Sequence, residues 1–126
     1  MAVRLIFILT AAFAAAAPAA APVALNGVVG GQWEVGRSAN GVGGTKVCVP
    51  DVATLAQWEH RGVACTRVVL SDRANEVVIH YTCPAGDFGR SRMTVVTPRS
   101  LRIETQGIHE GEPFFYNLHA RRTGTC

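Results

Sequence analysis

Residues 76–122 read EVVIHYTCPAGDFGRSRMTVVTPRSLRIETQGIHEGEPFFYNLHARR, and the alternation within them decides the fold. In 101–106, Leu101, Ile103 and Thr105 oppose Arg102, Glu104 and Gln106, a period of two that gives a strand one apolar and one polar face. The same period runs through 76–83, where Val77, Ile79, Tyr81 and Cys83 share a side, and through 90–97, split between Met93/Val95 and Arg92/Thr94/Val96. It returns in 114–122, with Phe114, Tyr116, Leu118 and Ala120 inside and Phe115, Asn117, His119 and Arg121 outside. Segments 84–89, 98–100 and 107–113 carry the prolines and glycines of loops. Upstream, 65–70 is another strand, joined to 76–83 by a turn at 71–75, and 32–38 and 45–49 are two more around a glycine-rich loop. The predicted fold is mainly β, an antiparallel meander curled into a half-barrel or small barrel.

One stretch breaks the period. Pro50 and Asp51 precede Val-Ala-Thr-Leu-Ala-Gln-Trp-Glu, with Val52, Leu55, Ala56 and Glu59 on one face and Gly62 as a stop. Proline suits a first helical turn, and a carboxylate suits the positive end of the helix dipole. The pattern predicts one short helix of about three turns, lying over one mouth or edge of the sheet.

Cys48, Cys65, Cys83 and Cys126 are an even set in a small chain, which points to two disulfides. Of three pairings, Cys48 with Cys65 and Cys83 with Cys126 is preferred, because one bond then brackets the helix and the other ties down the terminus. The main rival joins Cys65 to Cys83 across a hairpin and Cys48 to Cys126. No Cys-x-x-Cys occurs, so these cysteines predict no metal site and no cofactor.

At the amino end Arg4 precedes an apolar run over 5–17, which spans about 20 Å as a helix, short of a bilayer core of about 30 Å. A cation before it and small residues after it read as a cleavable signal peptide over 1–19, with export to the periplasm or outside the cell. Residues 20–30, rich in alanine, glycine and proline, read as a flexible lead-in to a single domain over 31–126. No membrane span is expected after signal removal. A formal net charge of +3, counting Arg4, gives no sign of a nucleic-acid partner.

A Gly-x-Trp-Glu strand (Gly31-Gln32-Trp33-Glu34) is followed by a Cys-x-Pro-Asp helix start (Cys48-Val49-Pro50-Asp51), by Cys65 and Cys83, and by Gly-x-Cys (Gly124-Thr125-Cys126). In order and spacing this resembles the small exported bacterial family catalogued as domain of unknown function 3617. The resemblance covers 31–126 and departs at Thr125, where the family usually carries an acidic residue. It implies an extracytoplasmic β domain with paired cysteines and supplies no activity.

Candidate chemistry is scattered. His60, His80, His109 and His119 are the available general bases, and Asp87, Glu110 and Glu112 the carboxylates, but they fall on helix, strands and loops with no spacing that joins them. His109-Glu110-Gly111-Glu112 lacks the His-Glu-x-x-His spacing of a helical metal site. Ser38, Ser71, Ser91 and Ser100 lie outside any Gly-x-Ser-x-Gly elbow. The expectation is therefore a non-catalytic interaction or structural module of the cell envelope. Its binding face is Arg92, Arg102 and Arg121 with outward-facing Phe115, offered to an envelope component or acidic partner. The alternative is a carrier for a small apolar ligand or lipid, lined by Met93, Val95, Leu101, Ile103, Phe114, Tyr116 and Leu118.

Overall fold

Alternation becomes register in the computed structural model, which describes Ala12, Ala14 and residues 21–126. The signal-peptide reading of 1–19 lies, those two alanines apart, outside the described residues. The strands are β1 (Gly31–Gly36), β2 (Thr45–Val49), β3 (Thr66–Arg73), β4 (Glu76–Thr82), β5 (Phe88–Thr97), β6 (Ser100–His109) and β7 (Glu112–Gly124). All pair antiparallel in one sheet of order β2-β1-β7-β6-β5-β4-β3. The sheet is mainly a meander and stays open, with β2 and β3 as its edges. β1 enters next to the last strand.

Inner-face residues line up as cross-strand rows, the unit that stabilises a sheet. Val77, Met93, Ile103 and Leu118 form one row, each no more than 2 % exposed. Ile79, Ser91, Thr105 and Tyr116 form the next, and Tyr81, Gly89, Gly107 and Phe114 the third. The helical segment Val52–His60 lies on this face and buries Val52, Leu55, Ala56 and Trp58 against it. Two polar side chains in the middle row are satisfied there. Ser91 Oγ donates to the Ala56 carbonyl and sits 2.8 Å from Thr105 Oγ1. A buried hydroxyl without a partner would cost about 1–3 kcal/mol, so this contact fixes where the segment lies.

The expected helix forms, 3₁₀ in type and on the inner face instead of over a mouth or edge of the sheet, and Gln57 breaks its geometry (φ −99°, ψ 31°). Asp51 caps its start, its carboxylate accepting from the Ala53 N–H at 3.0 Å. Gln57 caps its end, its amide donating to the carbonyls of His60 and Val63. The tighter spiral stacks residues at every third position, which brings Val52, Leu55 and Trp58 to one side.

Three further expectations are corrected. The disulfides are Cys48–Cys126 and Cys65–Cys83, not the preferred pairing. Cys65 and Cys83 continue the β3–β4 ladder by one step beyond Thr66↔Thr82, which sets them side by side. Residues 107–113, read as a loop, are the end of β6, a two-residue turn and the start of β7. Glu110 and Gly111 both take positive φ (51° and 79°), the turn that matches the twist of a hairpin. Finally, the lead-in is packed. Val23–Leu25 is a short turn of 3₁₀ helix whose N–H groups at Val23 and Ala24 donate to the Asp72 carboxylate, while Ala24, Leu25 and Val28 are buried. This turn, whose Ala24 was taken for linker composition, packs on β3 and β4.

Glu34, opposite Arg121 in the β1–β7 ladder, is 5 % exposed and covered by the loop after β1. It accepts from the Gly43 N–H at 2.7 Å and from Arg121 at 3.1 Å. Burial pushes its carboxyl up, but the Gly43 N–H and the Arg121 charge outweigh burial and hold the group below its ordinary 4.5. A carboxyl lowered by folding contributes stability above its unfolded value and loses it as pH falls through the folded one. Thermal melts of a Glu34→Gln variant should therefore lie below the native protein at pH 7, and the gap should close as pH drops below about 4.5. A gap that stayed constant to pH 2 would show that the charge of Glu34 is not what stabilises this corner.

Candidate functional site

Two places collect chemistry-bearing side chains, one on each face of the sheet. On the inner face the third row, Tyr81–Gly89–Gly107–Phe114, has two glycines flanked by two rings. A Cβ on Gly89 would overlap the Tyr81 ring and hydroxyl, and one on Gly107 would overlap the Phe88 carbonyl and meet Phe114 Cζ at 2.9 Å. Both positions must be glycine for the aromatic rings to fold over them. The His60 imidazole lies between those rings, 5.4 Å from Tyr81 and 5.9 Å from Phe114 by centroid.

His60 is delivered by the last residue of the helical segment, with its side chain 2 % exposed. Its Nδ1 is 2.9 Å from Tyr81 Oη and its Nε2 is 3.2 Å from Asp87 Oδ2. Asp87 sits just before β5, where the Cys83 N–H donates to the Asp87 carbonyl at 2.8 Å and closes a turn stapled to β3 by the Cys65–Cys83 bond. The other Asp87 oxygen accepts from the Glu110 N–H at 3.0 Å. His109, at the end of β6, places its ring 4.6 Å from that of His60 and its Nδ1 3.0 Å from Glu59 Oε1. Tyr116 donates to the second Glu59 oxygen at 2.5 Å, and the Arg37 guanidinium lies 4.3 Å over the Tyr116 ring.

Electrostatics follow from these contacts. Burial pushes the Glu59 carboxyl up, yet the hydrogen bonds from His109 and Tyr116 outweigh it and hold the group below the usual carboxylate range. The Glu59 hydrogen bond in turn raises His109 above an ordinary histidine. Burial, with nearby carboxylates, pushes both the Tyr81 and Tyr116 hydroxyls well up, so both remain protonated. The scatter read from the sequence thus gives way to convergence. His60, His109 and Asp87, together with Glu59, meet at one end of the sheet. His80 and His119 lie on the outer face instead, and Glu112 pairs with His109 across the hairpin.

The outer face carries the arginines and Phe115. Its rows are Val78–Arg92–Glu104–Asn117, His80–Arg90–Gln106–Phe115 and Thr82–Phe88–Ile108–Pro113, with Thr94–Arg102–His119 beyond. Arg92 lies 3.6 Å from Glu76 and faces Glu104; Arg121 is engaged by Glu34. Arg90 and Arg102 make no ion pair among the described residues. Arg92, Arg102 and Arg121 do share a face, but carboxylates neutralise two of the three. Phe115 is 65 % exposed and Phe88 41 %. With Ile108, Pro113 and Phe114 they wall an open groove of about 610 Å³ that has Arg90, His80 and Gln106 along one side. Met93, Leu101, Ile103 and Leu118, candidates for an internal cavity, are packed core. Alternation alone placed Phe115 outside; the groove needed the β5–β6–β7 register, which brings Phe88, Ile108 and Pro113 beside it.

Among the described residues no helix is long and apolar enough to cross a membrane, and the paired cysteines fit an oxidising compartment. Compared with known proteins, the chain matches no family profile, no curated protein and no solved structure.

Proposed function

We propose that this is an exported, periplasmic interaction module of the cell envelope, of the family it resembles, and that it docks a protein partner through the outer face around Phe115. The observation that carries the reading is the aromatic groove beside Arg90, which makes no ion pair among the described residues. Phe88, Phe115, Ile108 and Pro113 offer apolar area, and Arg90 stands at its rim. Large aromatics with a neighbouring arginine are the residues that dominate binding energy in protein interfaces. The partner segment that fits is one with an apolar anchor followed by a carboxylate.

The groove volume also falls in the range of small-ligand sites, about 300–1,000 Å³, which favours the lipid-carrier reading as the second choice. A photoreactive side chain placed at Phe115, in cells, separates the two. The docking reading expects one protein adduct, absent from a probe at Lys46 on the far edge and weakened at least tenfold by Arg90→Ala. Native mass spectrometry of the gently purified protein is the counter-test. A lipid-sized extra mass that vanishes on denaturation and in Phe115→Ala would overturn the docking reading for the carrier.

A further inference from the structure

On the opposite face, and independent of the docking reading, we propose that His60, Asp87 and His109 form a binding site for one divalent transition-metal ion of the zinc class. One ring nitrogen from each histidine and a carboxylate oxygen of Asp87 lie within 4.8 Å of one another. The one pair whose distance is fixed by a contact, His60 Nε2 to Asp87 Oδ2, is 3.2 Å apart. Two ligands held about 2.0–2.1 Å from a tetrahedral ion stand about 3.3 Å apart, so this edge already has the length the ion needs.

The stronger argument is how each ligand is held. Metal-bound histidines almost always place the second ring nitrogen on a carboxylate, carbonyl or similar partner, which fixes the ring's orientation and the nitrogen that faces the ion. Here both histidines have a ring nitrogen held by such a partner. His60 Nδ1 is on Tyr81 Oη, and His109 Nδ1 is on Glu59, itself steadied by Tyr116. Asp87 has one oxygen on the Glu110 N–H, which leaves the other toward His60. His60 and Asp87 thus each have one atom occupied by an orienting partner and the other turned to the shared site, and His109 brings a ring nitrogen within 4.8 Å of both. The three come from separate parts of the chain, the end of the helical segment, the turn before β5 and the end of β6. A polar network built only to satisfy a buried histidine needs Tyr81 and Asp87; it does not need His109, whose own Nδ1 is already satisfied by Glu59.

Two imidazoles and one carboxylate select a borderline ion over magnesium or calcium, which prefer oxygen-only shells. Three protein ligands leave a fourth position, on the side where His109 is 39 % and Asp87 15 % exposed, for water or an outside ligand.

The test is calorimetric titration of Zn²⁺ into the full mature protein, both disulfides intact, in metal-stripped buffer at pH 7. One equivalent is expected, unaffected by millimolar Mg²⁺. Glu59→Gln, a positioning change, should weaken binding about 10–100-fold. His109→Gln and Asp87→Asn, which delete ligands, should weaken it further. His80→Gln on the outer face should leave it unchanged. Co²⁺ in place of Zn²⁺ should give the visible absorption of a low-coordinate site, lost in Asp87→Asn. Because His109 is at a hairpin end and partly exposed, His109→Gln decides the matter if the Asp87 variant fails to fold. Absence of a bound equivalent, or native affinity in His109→Gln, overturns the proposal.

Discussion

A Cys48→Ala/Cys126→Ala double variant is expected to lose about 4.5 kcal/mol of stability, nearly half of what a domain this size ordinarily has. The bond closes a loop with a sequence separation of 78, against 18 for Cys65–Cys83. In the chain-entropy treatment these correspond to about 4.5 and about 3 kcal/mol. The native state adds to the contrast. Cys65–Cys83 reinforces two strands already joined by a ladder, whereas Cys48–Cys126 binds edge strand β2 to the chain beyond β7, across the end of β1. Urea melts of the two double variants should therefore rank them, with the Cys48/Cys126 pair the less stable. Equal midpoints would show that loop length is not what sets the loss.

Trp33→Ala is the second large loss, about 3–5 kcal/mol, the usual range for emptying an aromatic site. Trp33 is completely buried in β1, between Val47 of β2 and Arg122 of β7. Its indole Nε1–H has no hydrogen-bond partner among the described residues. That makes the phenylalanine variant informative. Replacing a buried donor that has no partner removes a desolvation cost and offsets part of the lost volume. Denaturant melts should place Trp33→Phe well above Trp33→Ala, within about 1–2 kcal/mol of the native protein. A phenylalanine variant as damaged as the alanine one would mean that the indole nitrogen is held by a partner after all.

The strands were legible because each carries its own instruction. Leu101, Ile103 and Thr105 alternate with charged or amide side chains, and burial follows that alternation residue by residue. The pairings were less legible because they depend on neighbours. Taking 71–75 as the whole turn sets Cys65 opposite Tyr81. The true turn is tighter, at Ala74–Asn75, and an irregularity between Val69 and Ser71 shifts the register until Cys65 meets Cys83. For Cys48 the decisive fact is the insertion of β1 between β2 and β7, a long-range pairing that no local pattern encodes. The inner-face cluster was hidden for the same reason. His60, Asp87 and His109 were each visible, but they meet only when the third row is assembled. The signal that points to it is a pair of glycines near strand ends, Gly89 in β5 and Gly107 in β6, read from the sequence as loop residues.

The nested order of the two disulfides has a kinetic side. Cysteines become available in the order 48, 65, 83 and 126 as the chain is made, so the first two to meet an oxidant are not native partners. Oxidation that keeps pace with emergence joins Cys48 to Cys65, and the native bonds then form only by thiol attack and exchange, a process of seconds to hours without help. On that route maturation would depend on reshuffling as much as on oxidation. The yield of native protein would then rise with access to a disulfide isomerase, because an oxidant alone traps the consecutive bond.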